Sequence, residues 1–315
     1  MMADQALATS SAHRAWFASA TVRTTRLDAV NNATPFDWRF PVEMKPLLGH
    51  PELLALPLSA RKFIHVQAFH KYLHDVCLTE TDVVNRVATA IAYGRSAAAL
   101  PADMAAEAFS VLVDEAFHSY AARLFSIHVT RATGIEPLPM PARNALVNAY
   151  EDVAAGRDED TVAMSQLLCC CLSESTFTKE ILAASRLEGY DKGFHSLMAA
   201  HLADEGRHYS YFRRVLAHYW ESLDDDGRAK IAVLLPDILV TYFDDGDDDS
   251  FDLAALIAAG VKEDTAMAWL NDVACERSAI FDRPRVRNSI EFLRLVGVLA
   301  HPAVQQGLSQ RGLLC

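Results

Sequence analysis

Apolar residues along this chain recur at helical rather than alternating spacing, so helices dominate and strand signals are scarce. The pattern predicts helices over about 60–93, ending at Gly94, and from Pro101, a favoured first-turn position, to about 133. The run Gly134-Ile135-Glu136-Pro137-Leu138-Pro139-Met140-Pro141 breaks it. Helices resume over about 142–155, 159–187 and 191–222. Beyond Asp224-Asp225-Asp226-Gly227 another follows, kinked or broken at Pro236, then three more near 252–259, 263–280 and 285–299. The first 58 residues are rich in Pro, Asn and Thr and read as an irregular arm with at most one helix, near 12–20. The organisation that follows is an arm at 1–58, a four-helix bundle at 59–222, and C-terminal helices at 223–315 packed on it as one globular unit.

Composition agrees with a large buried core: 315 residues, 51% hydrophobic and 22% charged. With 29 basic and 41 acidic residues the formal charge is −12, which argues against nucleic acid and anionic membrane as partners. No run of eighteen apolar residues occurs, and Met1-Met2-Ala3-Asp4-Gln5 lacks the start of a secretory signal, so a cytoplasmic protein is expected. Cys169, Cys170 and Cys171 are consecutive in a helical stretch, so their side chains diverge by about 100° and read as small buried hydrophobes rather than a metal claw. Cys170 and Cys171 lie near Glu174, and Cys315 reads as a free thiol. The acidic run Asp244-Asp245-Gly246-Asp247-Asp248-Asp249 lacks EF-hand spacing and reads as a solvated turn.

The chemistry lies in two copies of Asp-Glu-x-x-His, Asp114-Glu115-x-x-His118 and Asp204-Glu205-x-x-His208. Residues three apart share one helix face, so each Glu and His can bind one metal pair without distorting the backbone. Dinuclear carboxylate bundles use two such helices and take a single Glu from each of two others. Glu80 and Glu174 fit that need: each is an acid in a weakly charged, largely apolar stretch, and each precedes one of the motifs. Glu80 to Glu115 is 35 residues and Glu174 to Glu205 is 31, as for two similar helix pairs. Asp82 and Asp75 are the alternatives to Glu80 that periodicity leaves open. His201 stands four before Glu205 and seven before His208, all within a sector of about 60°. A minimal site needs two histidines, and this chain offers a third.

Metal-bound histidines commonly donate their second N–H to a carboxylate. Asp114 is therefore expected to orient His208, and Asp204 to orient His118, with Arg207 neutralising one of the acids. On the first ligand helix Tyr72, and beside Glu174 the aromatic Phe177, are candidates for the substrate pocket, against the plainer reading of core aromatics.

The order Glu80, Glu115-x-x-His118, Glu174, His201-x-x-x-Glu205-x-x-His208 resembles the p-aminobenzoate N-oxygenase family of ferritin-like di-iron enzymes, which oxidise amines in natural-product biosynthesis. The resemblance spans roughly 60–220, and the third histidine discriminates it from other di-iron bundles. It implies an all-α, ferritin-like four-helix bundle with additional N- and C-terminal helices. It also implies two iron ions, with manganese as the alternative, on Glu80, Glu115, His118, Glu174, His201, Glu205 and His208. The activity implied is oxidation of an amine (arylamine, amino acid or carrier-tethered) to hydroxylamine, nitroso or nitro product, with O2 activated as a peroxo-diferric species. An external electron donor or reductase is then needed, a carrier protein is a candidate partner, and a homodimer is compatible with so long a bundle. A di-iron C–H hydroxylase or oxidase would not require His201, and a non-catalytic ferritin-like metal-binding protein usually has a shorter chain.

Overall fold

The computed structural model describes residues 11–24, 35–276 and 284–314, and among them no strand occurs. The fold is all-α. A four-helix bundle of the ferritin-like kind is formed by α4 (Leu58–Leu78) running on into α5 (Asn85–Ala92), by α6 (Ala102–Thr133), α8 (Glu159–Ala184) and α9 (Lys192–Ser222). Before it stand α1 (Ser11–Ser19), α2 (Thr21–Thr24) and α3 (Pro51–Leu54), and α7 (Ala145–Asp152) is inserted between its halves. After it come α10 (Asp225–Tyr242), α11 (Gly246–Ala258), α12 (Glu263–Glu276), α13 (Pro284–Leu295) and α14 (Pro302–Gln310).

Local chemistry sets the ends of these helices. Gly134 closes α6 with φ 70°, a left-handed cap that costs glycine nothing. Asp191 opens α9 by accepting from Phe194 N at 2.9 Å, and the same carboxylate accepts from Asp37 N at 3.1 Å, so the cap also ties the N-terminal segment to the bundle.

The sequence predicts one uninterrupted helix over 60–93, and here the structure differs: Thr79–Val84 forms a π-helical turn with Glu80 inside it. Such a turn displaces carbonyls from their regular partners, and side chains take them up. Thr81 Oγ1 donates to Cys77 O at 2.7 Å, while Asn144 Nδ2 donates to Asp75 O at 3.3 Å beside that carbonyl's regular helical donor, Thr79 N. Asn144 also caps α7 through Val147 N, so one residue serves both elements.

Two other expectations are corrected. α10 is not broken at Pro236 but runs through it. Proline removes the donor for the Ala232 carbonyl four residues earlier. Gly307 of α14 packs on that carbonyl so closely that a Cβ there would lie 2.9 Å from it and 3.1 Å from Pro236 Cγ. The acidic run at 244–249 does not make a solvated turn. From Gly246 it is the first turn of α11, where acids complement the helix dipole, and Asp248 lies 2.6 Å from the ammonium of buried Lys71.

Packing places a polar layer between two hydrophobic cores. One contains Phe69, Leu73 and Val76 of α4, Phe125 and Val129 of α6, and Phe194 and Met198 of α9. The other contains Val87 and Ile91 of α5, Val111 of α6, Leu168 of α8, and Phe212 and Val215 of α9. Between them each of these helices carries a short polar interval. Glu80, Glu115, His118, Glu174, His201, Glu205 and His208 all lie in that layer and all are buried.

Candidate metal centre

Seven side chains from four helices meet in the polar layer as two overlapping groups. One is Glu80, Glu115, His118, His201 and Glu205; the other is Glu115, Glu174, Glu205 and His208. Each group can bring one donor atom per residue within 4.8 Å of all the others. Glu115 and Glu205 belong to both. The groups are unequal. Glu80 is accompanied by two imidazoles, Glu174 by one.

The histidines present different nitrogens. His208 Nε2 is 3.2 Å from Asp114 Oδ2, and His118 Nε2 is 3.1 Å from Asp204 Oδ2. An ionised carboxylate only accepts, so each Nε2 carries a proton and each Nδ1 faces the centre. His118 Nδ1 is 2.7 Å from Glu115 Oε2, and His208 Nδ1 is 2.6 Å from Glu115 Oε1. His201 comes from one turn earlier on α9 and reaches in with Nε2, 3.1 Å from Glu205 Oε1 and 3.3 Å from Glu80 Oε1.

The electrostatics are those of a site built for cations. Burial raises Glu80 and Glu174 well above the ordinary carboxylate range, and the neighbouring Glu115 and Glu205 charges add to the rise. Burial works against ionisation of Glu115 as well, but His208 and His118 outweigh it and hold this carboxyl well below its usual value. For Glu205, burial is outweighed by His201 and His208 and the shift is downward. Burial opposes a charge on His208, yet Glu115 and Asp114 push it well above its usual value. In His118, burial and the neighbouring His201 are overcome by Glu115 and Asp204.

A pair of divalent ions fits this donor set. Neither carboxylate oxygen of Glu80 makes a hydrogen bond, and Glu115 Oε1 and His208 Nδ1, though 2.6 Å apart, lack hydrogen-bond geometry. Buried donors left so are costly unless something they can coordinate stands between them. Two divalent cations would balance the four glutamate charges, and a carboxylate and imidazole set suits iron or manganese. On this helix Asp75 is turned to Lys71, 2.5 Å away, and burial raises it to about 6 despite that partner. Asp82 is half-buried and belongs to neither group.

The carboxylates behind the histidines have further partners, two of which sequence reasoning misses. Asp114 accepts from Trp16 Nε1 at 2.9 Å and Arg207 Nη2 at 3.0 Å. Asp204 accepts from Thr21 through both its backbone N–H, at 3.1 Å, and its hydroxyl, and again from Arg207. Burial would raise Asp204, but His118, Thr21 and Arg207 hold it far below its usual value. Arg207 thus bridges both acids. Trp16 and Thr21 lie 98 and 183 residues from the acids they touch, and nothing in their neighbourhood of the chain signals either contact.

Of the pocket candidates, Tyr72 is half-buried, with its hydroxyl 3.3 Å from Met198 Sδ and its ring packed on Phe40 and Phe194. The side chain of Phe177 lies outside the described residues. Cys169, Cys170 and Cys171 are fully buried free thiols. No helix is long and apolar enough to cross a membrane among the described residues. A family model described as P-aminobenzoate N-oxygenase AurF matches residues 3–247. No curated protein matches the chain.

Proposed function

Since the chain belongs to the p-aminobenzoate N-oxygenase AurF family, we propose that it is a di-iron monooxygenase that uses O2 to oxidise the nitrogen of a small-molecule amine. The observation that carries this reading is the unequal donor set: two imidazoles with Glu80, one with Glu174, and Glu115 and Glu205 common to both groups. A minimal dinuclear bundle site needs only two histidines. His201 makes one side richer in nitrogen donors, which favours reaction at an electron-rich nitrogen over cleavage of a C–H bond.

Glu80, His118 and His201 would hold one ion, Glu174 and His208 the other, with Glu115 and Glu205 between them. When bound, two ferrous ions supply electrons for the reduction of O2, which makes an external electron donor necessary. The protein's own contribution is positional. Asp114 and Asp204 keep the proton of each orienting histidine on Nε2, so that Nδ1 stays a donor. The apolar layers on either side exclude water from the donor set. Arylamines, amino acids and carrier-tethered amines are the substrate classes in view, and manganese is the alternative metal.

The test is anaerobic loading with Fe(II), then exposure to O2 and a reductant with a panel of arylamines and amino acids. The expected product carries added oxygen on nitrogen, read by mass spectrometry. Oxygen appearing on carbon, or iron taken up far beyond two per chain without amine oxidation, overturns the reading.

A further inference from the structure

The two carboxylates that back the histidines end on different chemistry. Asp204 ends on the backbone N–H and hydroxyl of Thr21. Asp114 ends on an indole: Trp16 Nε1 donates to Oδ1 at 2.9 Å, and His208 Nε2 donates to Oδ2 at 3.2 Å. His208 then turns Nδ1 to the donor set, 2.6 Å from Glu115 Oε1. Two hydrogen bonds therefore join the indole to the group of Glu174 and His208 without a gap. Asp114 and His208 are each 1% exposed, whereas Trp16 is half-buried and belongs to neither hydrophobic core. To give Asp114 a donor, a serine or asparagine would suffice. What tryptophan adds is a delocalised ring reaching from the acid toward the protein surface. Trp38, Trp220 and Trp269 pack instead on His65, His301 and His50, none of which belongs to the cluster.

The indole also has a basic setting. Residues 11–24 include His13, Arg14 and Arg23 and no acid, in a chain of formal charge −12. The Trp16 ring meets Phe17 edge-on at 5.1 Å, Phe17 is 53% exposed, and the Arg23 guanidinium stands over it at 5.1 Å. Positive charge beside the ring attracts an anion.

We propose that Trp16 is where electrons enter the metal centre, from an anionic one-electron donor that meets the α1 surface. The inference rests on the di-iron reading above, in which an external donor is necessary. Because the ligands are buried, such a donor never touches the ions. Its electron must cross protein, and a continuous bonded path carries it better than a gap of the same length. Each transfer oxidises the donor by one electron and reduces one ferric ion to ferrous. No bond forms or breaks, and the indole ends as it began. The entry lies on the side with a single imidazole.

Stopped-flow reduction of the oxidised, iron-loaded protein tests this, followed by loss of ferric absorbance and expressed per bound iron. The probes are reduced FMN, an anion, and the methyl viologen radical, a cation. Trp16→Phe keeps a ring but breaks the bonded path, and should slow reduction by FMN about tenfold or more. Thr21→Val, which takes a hydroxyl from the other acid, is the comparison. Conduction predicts the loss in Trp16→Phe alone, whereas simple positioning of the histidines predicts it in both. Arg23→Glu leaves the path intact and should slow FMN about threefold while speeding the viologen; it also tests the entry surface should Trp16→Phe hold no iron. Equal slowing in Trp16→Phe and Thr21→Val, or none in Trp16→Phe, overturns Trp16 as the entry. An Arg23→Glu effect that is absent, or that ignores the charge of the donor, overturns the anionic donor at this surface. Amine oxidation is read separately, so a chain that takes electrons through Trp16 but oxygenates no amine loses the proposed function and keeps this entry point.

Discussion

The imidazole rings of His118 and His201 lie 3.9 Å apart, centre to centre, on two different helices and on the Glu80 side of the cluster. The rings of His118 and His208 are farther apart, at 5.8 Å. His201→Ala removes one nitrogen from that side alone. In a calorimetric titration with Mn(II), or with Fe(II) under argon, one of two binding events should weaken by about tenfold or more, with the other retained. Glu174→Ala should weaken the opposite event. Equal loss of both events in each variant would show that the two groups do not act as separate positions.

Trp16 and Thr21 hold the carboxylates that hold the histidines. Trp16→Phe keeps the ring and deletes the N–H to Asp114. Thr21→Val keeps the shape and deletes the hydroxyl to Asp204. Each should reduce metal affinity by about tenfold with little change in helicity, and Thr21→Ser should behave as the parent. Retained affinity in the first two would make the contacts mere packing.

His65 is buried with Nδ1 accepting from Phe40 N at 3.1 Å, and burial, with the nearby Arg61 and Arg39 charges, pushes it down to about 4. The unfolded chain takes up this proton near 6.5, so between 6.5 and about 4 the unfolded state binds more protons than the folded one. The stability this neutral histidine contributes is complete above 6.5 and is lost as the pH falls to about 4. His65→Gln should flatten that part of the stability curve by up to about 2 kcal/mol. Denaturant melts at pH 7 and pH 4.5 measure it, and an unchanged slope would assign the acid sensitivity to other groups.

Gly307 lets α14 rest on the carbonyl that Pro236 leaves without its helical donor. Gly307→Ala gains about 1 kcal/mol of helix propensity, yet its methyl would meet that backbone oxygen at 2.9 Å. Overpacking of this kind costs about 1–3 kcal/mol. A net loss of thermal stability, without loss of metal, is the expected result, and a higher Tm would mean that α14 can shift freely.

Much of the fold was legible because its signals are local. Residues three and four apart fall on one face of a helix wherever that helix goes, so the motif pairs Glu115/His118 and Glu205/His208, and His201 one turn before, could be read from spacing. Helix limits at Gly134 and near Pro101 follow from the backbone preferences of those residues. The π-helical turn at Glu80 was not legible: the contacts around it include Asn144, 69 residues away from Asp75, whose carbonyl it joins. The acidic run at 244–249 was misread because its partner Lys71 is 177 residues distant from Asp248.

By itself the sequence determined the kinds of donor atoms and their phase on each helix. Only tertiary structure decided which glutamates stand between both groups, and that Trp16 and Thr21 complete the acids behind the histidines. It also decided which face of α6 turns inward. The division has one physical cause. Helical phase is a property of neighbours along the chain, whereas pairing between helices depends on how several apolar faces are buried together, and a linear pattern carries no distance between them.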